Sequence, residues 1–203
     1  MAYAELPDVR LWLGTTTEED NALLQILLIR SQAMIEQSFG GLVFEASADA
    51  TRYYTPGHHT RGSELMLDYP LYNITSITNG DGHALTGSEY TTSPKVLTGV
   101  TGGRPHYKSI KLLWSSGLMW EADSNGDPED AIAIVGRWAY GSTVHPSVAH
   151  ATVRLAAYLY RQRASGDVDR PAVTESGIML LPGTLPKDVK EILSAIHNPL
   201  VVL

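Results

Sequence analysis

The chain has no cysteine in its 203 residues. That removes a disulfide framework, a thiolate nucleophile and the cysteine-based zinc ribbons and fingers. Basic side chains are also scarce, with 15 Lys and Arg against 22 Asp and Glu, for a net charge of −7. With no dense Lys/Arg cluster, the electrostatic footprint of a phosphate-gripping DNA binder is missing. No apolar run approaches the roughly 20 residues of a membrane span. The start, Met1-Ala-Tyr-Ala-Glu-Leu-Pro-Asp8, lacks the basic-then-apolar order of a signal peptide. The chain therefore reads as cytosolic when made, with no membrane partner.

Catalytic and cofactor motifs are missing as well. No GxGxxG occurs, and the glycines at Gly99 and Gly102-Gly103 are not followed by Lys-Ser/Thr. There is no HExxH and no nucleophile elbow. Of the seven histidines, His58-His59 stand in a Thr/Gly/Arg loop and His83 and His106 lie near turns. With no second ligand at helical or hairpin spacing, they read as solvated surface side chains. Asp123, Asn125 and Asp127 imitate the start of a calcium loop, but Pro128 stands where the sharp-turn glycine belongs and Ile134 where the bidentate glutamate belongs. No catalytic residue, metal or cofactor is expected, and the chain is read as not an enzyme.

What the chain does have is apolar periodicity. At 43% hydrophobic and 18% charged residues it has globular composition. The best-marked element runs from Pro146, suited to a helix's first turn, to Arg163. Val148, Ala151/Thr152, Leu155 and Leu159 make one stripe of a helix roughly 27 Å long. Ala149, Val153, Ala156, Ala157 and Tyr160 make a second stripe, whose alanines leave room for close approach. Two faces need two partners: the chain's own first helix and a neighbouring subunit, or, equally compatible with the pattern, only the chain's own core. An earlier helix is expected over 17–39, capped by Thr17, broadly apolar, and closed by Gly40-Gly41. A third is expected over 186–197, opened by Pro186 and stopped at His197-Asn-Pro199.

Between the first two helices the grammar changes to short alternating segments separated by Gly, Pro, Asn and Asp. Strands are expected at Thr51–Tyr54, Glu64–Leu67, Ile74–Thr78, His83–Leu85, Tyr107–Trp114 and Ala131–Trp138, with a hairpin turn at Asn79-Gly-Asp-Gly82. Loops are expected at residues 98–105, at the acidic run 121–130 and after Ser165. The fold class is α+β: a small helical core formed by residues 1–41 and 141–203, with three main helices, and an inserted antiparallel β domain over 42–140. Arg161 and Arg163 suit the negative end of a helix and are candidate partner contacts. So is the tail Leu200, Val201, Val202 and Leu203, which folds back on its own sheet or adds as a strand to a partner's edge.

Several of these stretches, taken together in order and spacing, resemble the gp6-like head–tail connector (adaptor) proteins of tailed bacteriophages. They are Leu23-Leu-Gln-Ile-Leu-Leu-Ile-Arg-Ser-Gln-Ala-Met-Ile-Glu36 with Phe39-Gly-Gly, Thr51-Arg-Tyr-Tyr54, Leu67-Asp-Tyr-Pro-Leu-Tyr-Asn-Ile-Thr-Ser-Ile77, Leu155-Ala-Ala-Tyr-Leu-Tyr160 and Leu185-Pro-Lys-Asp-Val-Lys-Glu-Ile-Leu193. The long β segment departs from the shortest connectors, which look nearly all helical. The resemblance implies a virion protein at the head–tail interface, assembled in the host cytoplasm as a homo-oligomeric ring of about twelve copies under the portal protein. Such a ring extends the channel for genomic DNA without sequence-specific binding, and docks a tail-side neck or tail protein. On this view Ala149, Val153, Ala156 and Tyr160 face the neighbouring subunit, and Arg161, Arg163 and Leu200–Leu203 face the portal or another partner. A carbohydrate- or host-surface-binding β module on a helical stalk is the alternative, prompted by the aromatics of residues 53–72.

Overall fold

A short helix that the sequence reading passed over opens the described chain. Pro7 and Asp8 stand in its first turn, the Glu5 backbone N–H donates to Asp8 Oδ2 (3.1 Å), and Gly14 closes it, so α1 spans Leu6–Leu13. The computed structural model describes residues 3–15, 17–95, 97, 106–164, 172–173, 179–180 and 185–197. Side chains are not described at 163–164, 172–173, 179–180 and 195–197. Among the described residues, four α-helices and antiparallel sheets make the α+β class. The chain divides into two compact units, Met1–Gly41 with Val144–Leu203, and Leu42–Thr143.

In the first unit, α2 spans Asn21–Ser38 with Asp20 at its N-cap. The expected cap at Thr17 is therefore three residues too early. Thr17 instead lies beside Thr15, hydroxyl to hydroxyl, at 3.2 Å. Gly40 and Gly41, at φ 69° and 85°, take the left-handed conformation that ends the helix. Helix α3 spans Pro146–Ala164 and α4 Lys187–His197. A two-residue ladder, β8 (Ala172–Val173) with β9 (Met179–Leu180), completes the unit among the described residues.

Helix α3 packs against α1, α2 and α4. Val153 and Ala156 join Ala4, Val9, Leu24, Leu27 and Leu28 in one core. Val148, Ala151, Thr152, Leu155 and Ala157 are buried as well. Most of both stripes of α3 is thus buried inside the unit, because α1 and α4 supply partners in addition to α2, while Ala149 and Tyr160 stay half-buried. Asp188 pairs with Arg154 from α4 to α3, and the Tyr160 hydroxyl donates to Asp20 Oδ2 at the start of α2 (2.5 Å).

The second unit holds two antiparallel sheets among the described residues. One has the order β1-β7-β4, with β1 Ala50–Tyr54, β4 Asn73–Thr78 and β7 Ile132–Arg137. The other has the order β2-β3-β6-β5, with β2 Thr60–Arg61, β3 Glu64–Leu71, β5 Tyr90–Ser93 and β6 Tyr107–Leu112. Inward residues of both sheets share one core: Tyr54, Leu65, Leu71, Ile77, Ile110, Leu112, Ile132 and Ile134, with Trp120 and Trp138. The Tyr54 hydroxyl donates to Asp68 Oδ1 (2.7 Å), and burial raises its pKa far above the ordinary tyrosine value.

Two strand expectations are corrected. His83–Leu85 forms only a bridge, Thr78 to Ala84, beyond the turn at Asn79–Gly82. Tyr107–Trp114 stops at Leu112 and continues into a 3-10 turn, Trp114–Ser116. Strands β2 and β5 were not anticipated; one has two residues, and the other is mostly hydroxylated. The unit begins and ends side by side, since the Tyr140 N–H donates to Val43 O (2.9 Å) and the Gly141 N–H to Phe44 O (3.3 Å).

Candidate functional site

The surfaces that stand out are apolar. On α2, Leu24, Leu28, Ser31 and Ile35 point into the core, and at 100° per residue the opposite face falls on Ala22, Ile26, Ile29 and Ala33. All four are exposed, Ile26 at 48% and Ile29 at 57%. Four–three–four spacing gives a straight stripe about 16 Å long, the kind of ridge that packs into another helix pair. From Asn21 to Ile35 the sole charge is Arg30, which is exposed.

A second apolar surface lies between α1 and α3. Ala4, Asp8, Leu11, Trp12, Ala149, His150 and Val153 line an open groove of about 320 Å³. Leu11 is 85% exposed and Trp12 44%. The Trp12 ring meets His150 edge-on, with centroids 5.3 Å apart, and the Arg154 guanidinium lies 5.6 Å from the Trp12 centroid. Arg154 is already paired to Asp188, and Arg10 to Glu18 at 3.9 Å.

The β unit carries its own exposed apolar pair, Trp114 (100%) and Met119 (69%). The Met119 end of their loop is tied to the rest of the unit by hydrogen bonds. The buried Asn79 side chain donates to Met119 O (2.9 Å) and accepts from the Glu121 N–H (3.1 Å), and Trp120 Nε1 donates to Ser63 O (2.9 Å). From Leu112 to Gly136 there is no Lys or Arg, but there are five carboxylates, on Glu121, Asp123, Asp127, Glu129 and Asp130.

The polar clusters singled out in the sequence are tied up locally. Asp123 Oδ1 accepts the N–H groups of Asn125 and Asp127, each at 2.8 Å, and these bonds, that of Asp127 foremost, lower its pKa. The run thus closes its own turn. His83 Nε2 lies 3.0 Å from Glu89 Oε1, and His59 Nδ1 accepts the Thr55 N–H (3.0 Å). Among the described residues no group of three or more metal-ligating side chains converges.

The aromatics that prompted a carbohydrate-binding reading are mostly committed. Tyr54 is buried, the Tyr69 hydroxyl accepts the Val43 N–H (2.6 Å), and the Tyr72 hydroxyl donates to Ala46 O (3.1 Å). Tyr53 alone of these is exposed, at 58%.

Of the residues expected at a subunit interface, Ala149 and Val153 line the groove, and Tyr160 is half-buried. Ala156 is fully buried in the unit's own core, so no surface of it remains for a neighbour. Arg161 is exposed. The Arg163 side chain and Leu200–Leu203 lie outside the described residues. Sequence reasoning missed Leu11, Trp12 and the Ile26/Ile29 face. The signal for the first two was two large apolar residues just before Gly14, outside any recognised helix.

No family model matches the sequence, and no curated protein matches it. Among solved structures, the chain is similar to a chain of one described as the neck of a native GTA particle computed with C12 symmetry. The identity is 17% and the TM-score 0.48, covering 92% of this chain and 98% of that one.

Proposed function

We propose that this chain is a structural neck protein, a head–tail connector that assembles as a ring of copies beneath a portal, extends the DNA channel and docks a tail-side protein. The observation that carries it is the presence of two separate exposed apolar surfaces on one small helical unit, the α2 stripe and the α1–α3 groove. Exposed apolar surface of this kind marks sites covered by protein, and two different patches per copy suit head-to-tail contacts around a ring. The family resemblance of the helical segments supports the same reading. The net charge of −7 suits a channel that passes DNA without gripping it. Trp114 and Met119 on their pinned loop are the proposed contact for the tail-side protein, at the virion's head–tail interface.

The test is the mass of the purified chain alone and mixed with purified portal protein, by native mass spectrometry or electron microscopy. Closed rings that form on the portal are expected. A chain that stays monomeric with portal present, and that instead binds glycans on an array, would overturn the connector reading.

A further inference from the structure

We propose that the exposed stripe of α2 in one copy seats in the α1–α3 groove of the next copy, with Arg30 of the stripe facing Asp8 at the groove's edge. The choice of a second copy as occupant rests on the ring reading above. The contact itself is argued from the two surfaces.

Ala22, Ile26, Ile29 and Ala33 form a ridge, small at both ends and large in the middle, on the side of α2 opposite the core. Stripe against stripe would match two convex ridges and bring Arg30 near its own copy. It would also leave the groove of Leu11, Trp12 and Ala149 open. Ridge into groove covers both surfaces with one contact, as helix packing favours.

The charges agree. Arg30 makes no ion pair among the described residues, and it is the sole charge along fifteen residues of α2 from Asn21 to Ile35. On the groove side the cations are engaged, Arg154 with Asp188 and Arg10 with Glu18, whereas α1 brings the exposed carboxylates of Glu5 and Asp8. Asp8 lines the groove itself. Because ridge and groove are different patches, each copy has one of each to offer. Repetition of such a head-to-tail contact runs on past a dimer, and it closes into a ring where its rotation divides a full turn.

The lack of native cysteine makes the test direct, since an introduced thiol is the only one present. Ile29→Cys and Leu11→Cys both alter exposed positions, and one variant carries a tag to separate products by size. A short-arm bismaleimide is added to each variant alone and to the mixture, at the highest soluble concentration. The expected result is a mixed 29–11 product several-fold above the 29–29 and 11–11 products. It should be lost when the Ile29→Cys chain also carries Arg30→Glu, and recovered when that chain is mixed with a Leu11→Cys chain carrying Asp8→Lys. Because Asp8 also caps α1, circular dichroism of that last variant checks that its helices persist.

Homotypic products forming as readily as the mixed one would overturn the proposed contact. Selective 29–11 coupling without closed rings on the portal would sink the ring reading and leave the contact standing. Rings with unselective coupling would do the reverse.

Discussion

At Gly136 a hydrogen stands where any other side chain would collide with the neighbouring strand. A Cβ there would lie 2.2 Å from Asn73 O and 2.9 Å from Leu71 Cδ1. β7 is the central strand of its sheet, so neither β1 nor β4 is free to yield without disturbing the core. Gly136→Ala should therefore lower the stability of the protein by about 1–3 kcal/mol, read as an earlier urea midpoint with an unchanged slope. An unchanged midpoint would mean that β4 moves aside at no cost. The sequence showed only a small residue at the end of an alternating run. What makes it necessary is Asn73, far off in the chain, and period-two reasoning holds no information about which strand lies opposite. The same limit applies at Asn79. A turn residue by its setting, it also ties the Met119–Glu121 segment through both ends of its side-chain amide.

Among elements, those with strong periodicity were legible and those whose reason lies elsewhere were not. α3, α4 and the strands at Thr51–Tyr54, Ile74–Thr78 and Ala131–Trp138 follow from apolar spacing and from Pro, Gly and Asn at their ends. α1 carried its own signals in Pro7, Asp8 and Gly14, but with eight residues and one buried side chain, Val9, it has too little stripe to be seen. Missing it had a consequence. Without α1 the small-residue face of α3 shows no definite local partner in the sequence, which leaves a neighbouring subunit and the chain's own core equally open for it. Since Ala156 is buried beside Val9, Leu24 and Leu28, Ala156→Trp should overpack that core and destabilise the free chain by at least about 1–3 kcal/mol. Thermal melting of the isolated protein checks it. A variant that melts like the parent yet fails to assemble would restore the face to a neighbour. The α2 stripe was half-visible: Ile26 and Ile29 widened the apolar surface, but periodicity does not say which side faces water.

For the whole molecule, the α+β class was readable because the grammar changes abruptly at Leu42 and again near Pro146. The Leu42–Thr143 unit has its own core drawn from two sheets, and its ends are joined by the Val43–Tyr140 and Phe44–Gly141 hydrogen bonds. A polypeptide of residues 42–143 should fold alone, because the backbone groups at its ends pair with each other. Near-ultraviolet circular dichroism and a cooperative urea transition are the measurements. A molten, non-cooperative fragment would show that the unit depends on the helices.

The adjacency of those ends bears on how the helical unit closes. α2 and α3 come together across a hundred-odd residues of chain, and were these a floppy loop the entropy of bringing their ends together would grow with the logarithm of that length. Once the β unit has folded, the helices are joined through two neighbouring backbone positions, in effect a span of a few residues. Five halvings of loop length, at about 0.6 kcal/mol each, come to roughly 3 kcal/mol. The inserted unit that separates the helices in the chain is also, once formed, what makes their meeting nearly local.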